Sequence, residues 1–276
     1  MKVRTLLILS ALFVYGGLAH AQRASENVVK AAEDAFGVTI GRETLGLYSS
    51  GSVRGFSPTA AGNARIDGLY FDQVWSLNAR LRRATTIRVG PSAQSYPFPA
   101  PTGIVDQALK VPGEQRSISL LMSGDEWGSR SAEADAVLPL LSNRLGLGIG
   151  AAAINEEFHN GTNATFANVG GSLRWNPTDS LQIVPFVARS EARDDEFGPI
   201  YVPGGAYLPP RVERRRFDGP DWADYDSTAI NYGLLADYAP DNPWRVRLGI
   251  FRSLFDVAPP MPTCSSTSSL TGRRSS

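Results

Sequence analysis

VRGFSPTAAGNARIDGLYFDQ, residues 53–73, places two glycines directly after charged residues, at Arg54-Gly55 and Asp67-Gly68, and ends in the apolar aromatic run Leu69-Tyr70-Phe71. Between the glycines lies TAAGN, too small and polar for a core. The stretch has neither the period of an amphipathic helix nor the plain alternation of a hairpin. Glycines at such positions let a backbone turn sharply and approach another surface closely.

Upstream, the chain opens with MKVR, then the short apolar run TLLILSALFVYGGL, then the small-residue site Ala19-His20-Ala21. That order predicts a secretory signal peptide over residues 1–21, cleaved after Ala21. The run is too short and wrongly flanked for a spanning helix. Cleavage removes Lys2 and Arg4 from the 27 Lys and Arg, leaving 25 against 27 Asp and Glu, a formal charge of −2. This balance carries no electrostatic footprint for nucleic acid. The only cysteine, Cys264, has no partner for an internal disulfide. An exported chain without disulfides relies on its ladders and core, or on a membrane.

Residues 22–113 are rich in Gly, Ser and Pro. ENVVKAAEDAFG predicts one short helix, with Val28, Val29, Ala32 and Phe36 on one face. TTIRVG reads as a strand closed by Gly90-Pro91. The expectation is a compact α+β domain.

From Arg116 the pattern changes to period 2, with apolar residues on one parity and small or polar residues on the other. In RSISLLMSG, Ile118, Leu120 and Met122 oppose Ser117, Ser119 and Ser123. In WRVRLGIF, Trp244, Val246, Leu248 and Ile250 oppose Arg245, Arg247 and Gly249. Seven such segments predict seven antiparallel strands, most of about ten residues, the length of a tilted strand that crosses a bilayer. SLQIVPFVARS is the least regular, because Pro185 has no N–H for a ladder. A soluble sandwich also shows period 2. Three details favour lipid: arginines share a face with Gly249, Trp175, Tyr238 and Trp244 stand at strand ends, and the tight turns NPTD and APDNP contrast with the long loop 193–225.

FGVTIGRETLGLYSSGSVRGFSPTAAGNARIDGLYFDQ, followed by TTIRVGPSAQSYPFPAPTGIVDQAL, resembles the plug of a TonB-dependent outer-membrane receptor of the siderophore type. The likeness covers residues 36–113 closely, and residues 114–256 in pattern only. It implies an α+β plug domain (22–113) followed by antiparallel transmembrane β-barrel strands, incomplete at about seven (114–256), in the cell outer membrane. It implies binding and gating without covalent chemistry or a cofactor. The implied partners are the TonB energy-coupling complex, the outer-membrane insertion machinery, outer-membrane lipid, and a ferric siderophore or similar ligand. Arg54 and Arg65 are expected to pair with wall carboxylates such as Glu133 or Asp135. The apical plug loops, Ser49–Gly51, Val74–Asn78 and Gln94–Pro101, are the expected ligand contacts, with Trp75, Gln94, Tyr96 and Phe98 as candidates. The plainer reading of Tyr96 and Phe98 is an ordinary loop staple. Tyr201, Tyr207, Trp222 and Tyr225 of the long loop are similar candidates, and RVERRR (211–216) could attract an anionic ligand.

Two features depart from the family. ENVV is a poor match to its energy-coupling segment, and seven strands are far fewer than its 22. After LFDVA the composition shifts to Ser, Thr, Pro and Arg over residues 257–276, which reads as a frameshifted or disordered tail of a truncated chain. The alternative to a receptor is an isolated periplasmic plug-like binding module without transport. A small autonomous barrel is a third reading. Catalysis has little support. Glu156, Glu157 and His159 lack a further ligand for a metal site. Asp194, Asp195 and Glu196 sit in a polar loop with nothing to separate their pKa values. No nucleophile elbow or phosphate-binding glycine motif is present.

Overall fold

The computed structural model describes residues 31–34, 37–39, 53, 55–98, 100, 102–141, 143–197, 213, 215–217, 219, 224–241 and 243–258. They form two units, one of residues 1–77 and 82–110, the other of residues 78–81 and 111–276.

The first unit is a six-stranded mixed sheet. Its strands are β1 (Ala31–Asp34), β2 (Gly37–Thr39), β3 (Ala64–Ile66), β4 (Leu69–Tyr70), β5 (Arg82–Arg88) and β6 (Ile104–Leu109), in the order β2-β1-β5-β6-β3-β4. β1 runs parallel to β5 and β3 parallel to β6, and the other pairs are antiparallel. The expected helix over ENVVKAAEDAFG is corrected here. Ala31–Asp34 is a strand, paired on one side with β2 (Ala32↔Thr39) and on the other with β5 (Ala32↔Ile87). Two ladders engage its backbone groups, and that tertiary pairing overrides a weak helical preference. Val28, Val29 and Phe36 of the expected helix lie outside the described residues, and among the described residues the unit is β apart from a 3₁₀ turn at Gly90–Ser95.

The stretch quoted at the outset does contain a hairpin. Asp67 (φ 47°) and Gly68 (φ 83°) form the two-residue turn between β3 and β4, as an Asp-Gly pair readily does. The turn is held from outside, because the Gly68 N–H donates to Asp106 Oδ1 (2.9 Å) and the Leu109 N–H to Asp67 Oδ2 (3.2 Å). Beneath the sheet Val53, Ile87, Val89 and Val105 form one buried cluster. Ile66, Phe71, Leu77, Ile104 and Leu109 are also fully buried, and each such side chain contributes about 1.5–3 kcal/mol.

The second unit is a seven-stranded antiparallel meander: β7 (Ser117–Gly124), β8 (Arg130–Leu141), β9 (Leu145–Glu157), β10 (Asn163–Thr178), β11 (Leu181–Glu196), β12 (Asp224–Tyr238) and β13 (Val246–Val257). The strands fall where period 2 places them, but β8 to β13 run 12–16 residues, longer than expected, because pairing continues beyond the apolar segments into the polar ends. The chain enters along β9. Pro112 is buried, with its Cγ 3.2 Å from where a Cβ on Gly148 would stand. Pro185 is accommodated inside β11. The pairing with β10 steps from Ser172↔Phe186 to Trp175↔Ile183 and passes over the proline, while the other edge keeps Pro185↔Leu234.

One face of this sheet is apolar and open, and the covered face mixes apolar residues such as Val184, Phe186 and Leu235 with many polar ones. Ile118 (75 % exposed), Ile250 (65 %), Val169 and Val187 stand open, whereas Asn231 (2 %), Ser172 (5 %), Asp135 and Arg174 are buried. A soluble sheet buries its apolar face, and a membrane wall turns that face outward. On β12 the open apolar positions run from Tyr238 to Ile230, about 26 Å along the strand at about 3.3 Å per residue. Outer-membrane barrels carry an apolar band about 25 Å tall.

Candidate functional site

The covered face of the seven-stranded sheet holds a built polar site around the segment Asn78–Leu81, which belongs to the same unit. Arg80 is its centre. Its Nη1 donates to Asp135 Oδ2 at 2.6 Å and its Nη2 to Glu133 Oε2 at 2.6 Å. The alternation of β8 puts both carboxylates on one face, two residues apart. The side chains of Arg80 and Asp135 are 7 % and 8 % exposed, so the pair is desolvated, and charge-assisted bonds of this geometry are the strong kind.

Asn78 completes the anchor. Its Nδ2 donates to Ser190 Oγ (2.7 Å), Asn168 Oδ1 (3.2 Å) and the Arg189 carbonyl (3.3 Å), while its Oδ1 accepts from the Arg80 N–H (2.8 Å). The floor is glycine. A Cβ on Gly170 would stand 3.2 Å from Arg80 Cβ and 3.1 Å from Ala188 Cβ, and one on Gly150 would collide with the Asp135 carboxylate. The small residues of β9 and β10 therefore allow a backbone segment to lie flat against the wall.

The expected pairing partners are corrected in part. Glu133 and Asp135 do receive an arginine, but it is Arg80. Arg65 is turned into its own unit: its guanidinium donates to the carbonyls of Ala64 (2.8 Å), Gly62 (3.1 Å) and Phe98 (3.5 Å), and lies 5.2 Å over the Tyr70 ring. Burial lowers its pKa from the ordinary arginine value, against the opposing influence of Tyr70 and Asp106. Arg54 lies outside the described residues, as do Ala21, Ser49–Gly51, Tyr201, Tyr207 and Trp222. Arg80 was missed because NARLRR offers three similar arginines. The available signal was the bracket Leu77-Asn78-Ala79-Arg80-Leu81, whose two leucines are both buried.

The four candidates for ligand contact are differently placed. Gln94 is exposed within the 3₁₀ turn, and Trp75, 42 % exposed, lies in the connection between β4 and β5. Tyr96 is a staple: its hydroxyl donates to Asp106 Oδ2 at 2.7 Å, and burial together with that bond raises its pKa well above the ordinary phenol value. Phe98 is held open. Its ring is 84 % exposed and its φ is 58°, a left-handed conformation that costs a bulky residue about 1–2 kcal/mol.

At the end of the sheet that carries the long loop, Tyr225 stacks on Phe197 with ring centroids 5.0 Å apart. His159 meets the edge of Trp127 at 6.3 Å. Among the described residues no group of three or more His, Cys, Asp or Glu side chains could hold a metal ion.

A mixed β-sheet unit and a seven-stranded antiparallel unit with an open apolar face make up the fold. Solved structures that share it are TonB-dependent siderophore receptors. The ferric-catecholate import receptor Fiu from E. coli K12 matches with a TM-score of 0.57 at 16 % identity, over 71 % of this chain and 32 % of that one. The ferripyoverdine receptor of the outer membrane of Pseudomonas aeruginosa matches with a TM-score of 0.58 at 12 % identity, over 82 % and 30 %. The siderophore receptor PiuA from Acinetobacter baumannii gives 0.59 at 12 %, over 74 % and 30 %. The likeness at these identities is one of fold, and the chain spans about a third of the length of the structures it matches. No protein-family model and no curated protein sequence matches the chain.

Proposed function

We propose that the chain carries the plug (22–113) and the first wall strands (114–256) of a TonB-dependent outer-membrane receptor that takes up a ferric siderophore or similar scarce ligand. Its location is the outer membrane, and its partners are the TonB complex, outer-membrane lipid and the ligand. The step is binding and gating, without covalent chemistry.

The observation that carries this reading is the inverted wall, apolar outside and polar inside, onto which Arg80 and Asn78 fasten. The open Phe98 ring supports it further, because a strained backbone that presents an aromatic to solvent fits a ligand contact better than a packing role. Trp75 and Gln94 are the other contacts proposed, and Tyr96 positions the loop that bears Phe98.

The test is a titration of the full chain in detergent with ferric catecholate and ferric hydroxamate chelates, followed by quenching of tryptophan fluorescence. One chelate class should quench saturably, and Phe98→Ala should weaken that binding about tenfold, the effect of losing one well-placed aromatic anchor. Failure of every chelate to quench would remove the siderophore assignment.

A further inference from the structure

The apolar outer face of the seven-stranded sheet is not uniformly convex. Across β7 to β11 it is hollowed into a groove of about 560 Å³, within the size range of small-molecule sites. The strand register shows why. One row across the sheet reads Ile118↔Ala136↔Ile149↔Gly171↔Val187, and the next reads Leu120↔Ala134↔Ala151↔Val169↔Arg189. Alanine at 134, 136 and 151 sets the floor low, while Ile118 and Val169 rise on either side.

Arg189 lines the same groove. Its side chain is 53 % exposed and shares the face of Val187. Apart from Arg189 itself, its row is apolar, and it is the last such row before the polar end. In the row beyond, Glu191 stands on β11 and Thr228 on β12, and past Glu191 comes Arg193. Glu191 takes Arg189 at 2.7 Å on one oxygen and Arg193 at 3.0 Å on the other, so the triad keeps a net positive charge. An arginine on a lipid-facing wall is costly at mid-membrane and nearly free at the interface. Arg189 stands where headgroups lie, above a channel that only an apolar chain can fill.

From this juxtaposition we propose a specific lipid site: the groove over Ala134, Ala136 and Ala151 seats one acyl chain of an anionic lipid, whose phosphate is held by Arg189 with Arg193 beside it. The inference rests on the membrane reading of the wall. Volume and charge together select the occupant. A neutral lipid would leave the guanidinium pair unused, and a soluble anion would leave the groove empty.

The test uses the full chain reconstituted into phosphatidylcholine vesicles with trace spin-labelled phosphatidylglycerol or spin-labelled phosphatidylcholine. Electron spin resonance reads the motionally restricted fraction of each. The anionic label should be favoured about fivefold, the attraction of one arginine for an anionic surface. Arg189→Gln should remove that preference while leaving the alanine floor of the groove in place. Ala151→Leu should reduce the restricted fraction of both labels by filling the groove, with flotation of the chain unchanged. Equal restriction of the two labels, or a preference that survives both variants, overturns the site while leaving the wall in its membrane. A chemically cross-linked dimer that Ala151→Leu abolishes overturns it in favour of a second copy. A chain that fails to float with the vesicles overturns the membrane reading itself, and the lipid site with it.

Discussion

Arg80 and Asp135 stand 2.6 Å apart across 55 positions of the chain, each less than a tenth exposed. Removing one partner of such a pair strands the other charge in a poor solvent, which costs about 3–5 kcal/mol, whereas replacing all partners together costs far less. Arg80→Ala should therefore lower the urea midpoint of the second unit sharply. Adding Glu133→Gln and Asp135→Asn should recover most of the loss. If the triple variant is no better than Arg80→Ala, the cost lies in packing and not in stranded charge.

Gly103 faces a different constraint. Its φ is +131°, and a Cβ there would stand 2.7 Å from Val53 Cγ1. Gly103→Ala should destabilise the first unit by about 1–3 kcal/mol in thermal unfolding, the usual range for overpacking. Adding Val53→Ala relieves the collision but leaves the backbone strain, so the double variant should recover only part.

Phe98 combines a left-handed backbone with a ring left open to solvent. Asparagine tolerates its left-handed backbone better, and Phe98→Asn should raise the melting temperature of the first unit by an amount equivalent to up to about 1 kcal/mol. Under the proposed function the same change should weaken chelate binding. A stable variant that keeps full affinity would show that the exposed ring serves neither role.

The turn at Asp125 should respond to acid. The Ser129 hydroxyl and the N–H groups of Trp127, Ser129 and Gly128 hold its carboxylate below the ordinary value of 3.8. A carboxyl depressed in the fold stabilises above its unfolded value and loses that contribution as pH falls through the folded one. Amide protection at residues 127–129 should thus persist at the ordinary carboxyl value of 3.8 and be lost only at lower pH. Asp125→Asn should flatten the profile.

The wall itself can be probed from outside. Ile250 is 65 % exposed and sits centrally in the apolar band of β13. Ile250→Arg should cost about 2–4 kcal/mol of insertion free energy in a bilayer refolding assay, the depth-dependent cost of a cation at mid-membrane. An arginine tolerated there would argue that the face meets water.

The seven strands were legible because their two faces differ in polarity, and period 2 records that contrast residue by residue. Trp175 and Tyr238 stand exposed at the strand ends where they were expected. Ala31–Asp34 was misread because four residues of AAED carry helical preference, and only pairing with β2 and β5, the latter some 55 positions distant, makes a strand of them. The carboxylates Glu133 and Asp135 were recognisable as a receptor for an arginine, since both lie on the polar parity of an otherwise small-residue strand. Which arginine arrives is decided by the path of a connection with no periodic signature, and that path selects Arg80. The same holds for Tyr96, whose partner Asp106 lies on a strand that only the fold brings within reach.

Pro185 carries a mechanical consequence. At its height the ladder is continuous on the β12 side, through Pro185↔Leu234, whereas on the β10 side it lapses between Phe186 and Ile183. Curvature can change along that line without breaking a bond. It lies near mid-height of the apolar band, so under the proposed function a bilayer that thins or presses on the wall should flex it there first, as a score line sets where a sheet folds.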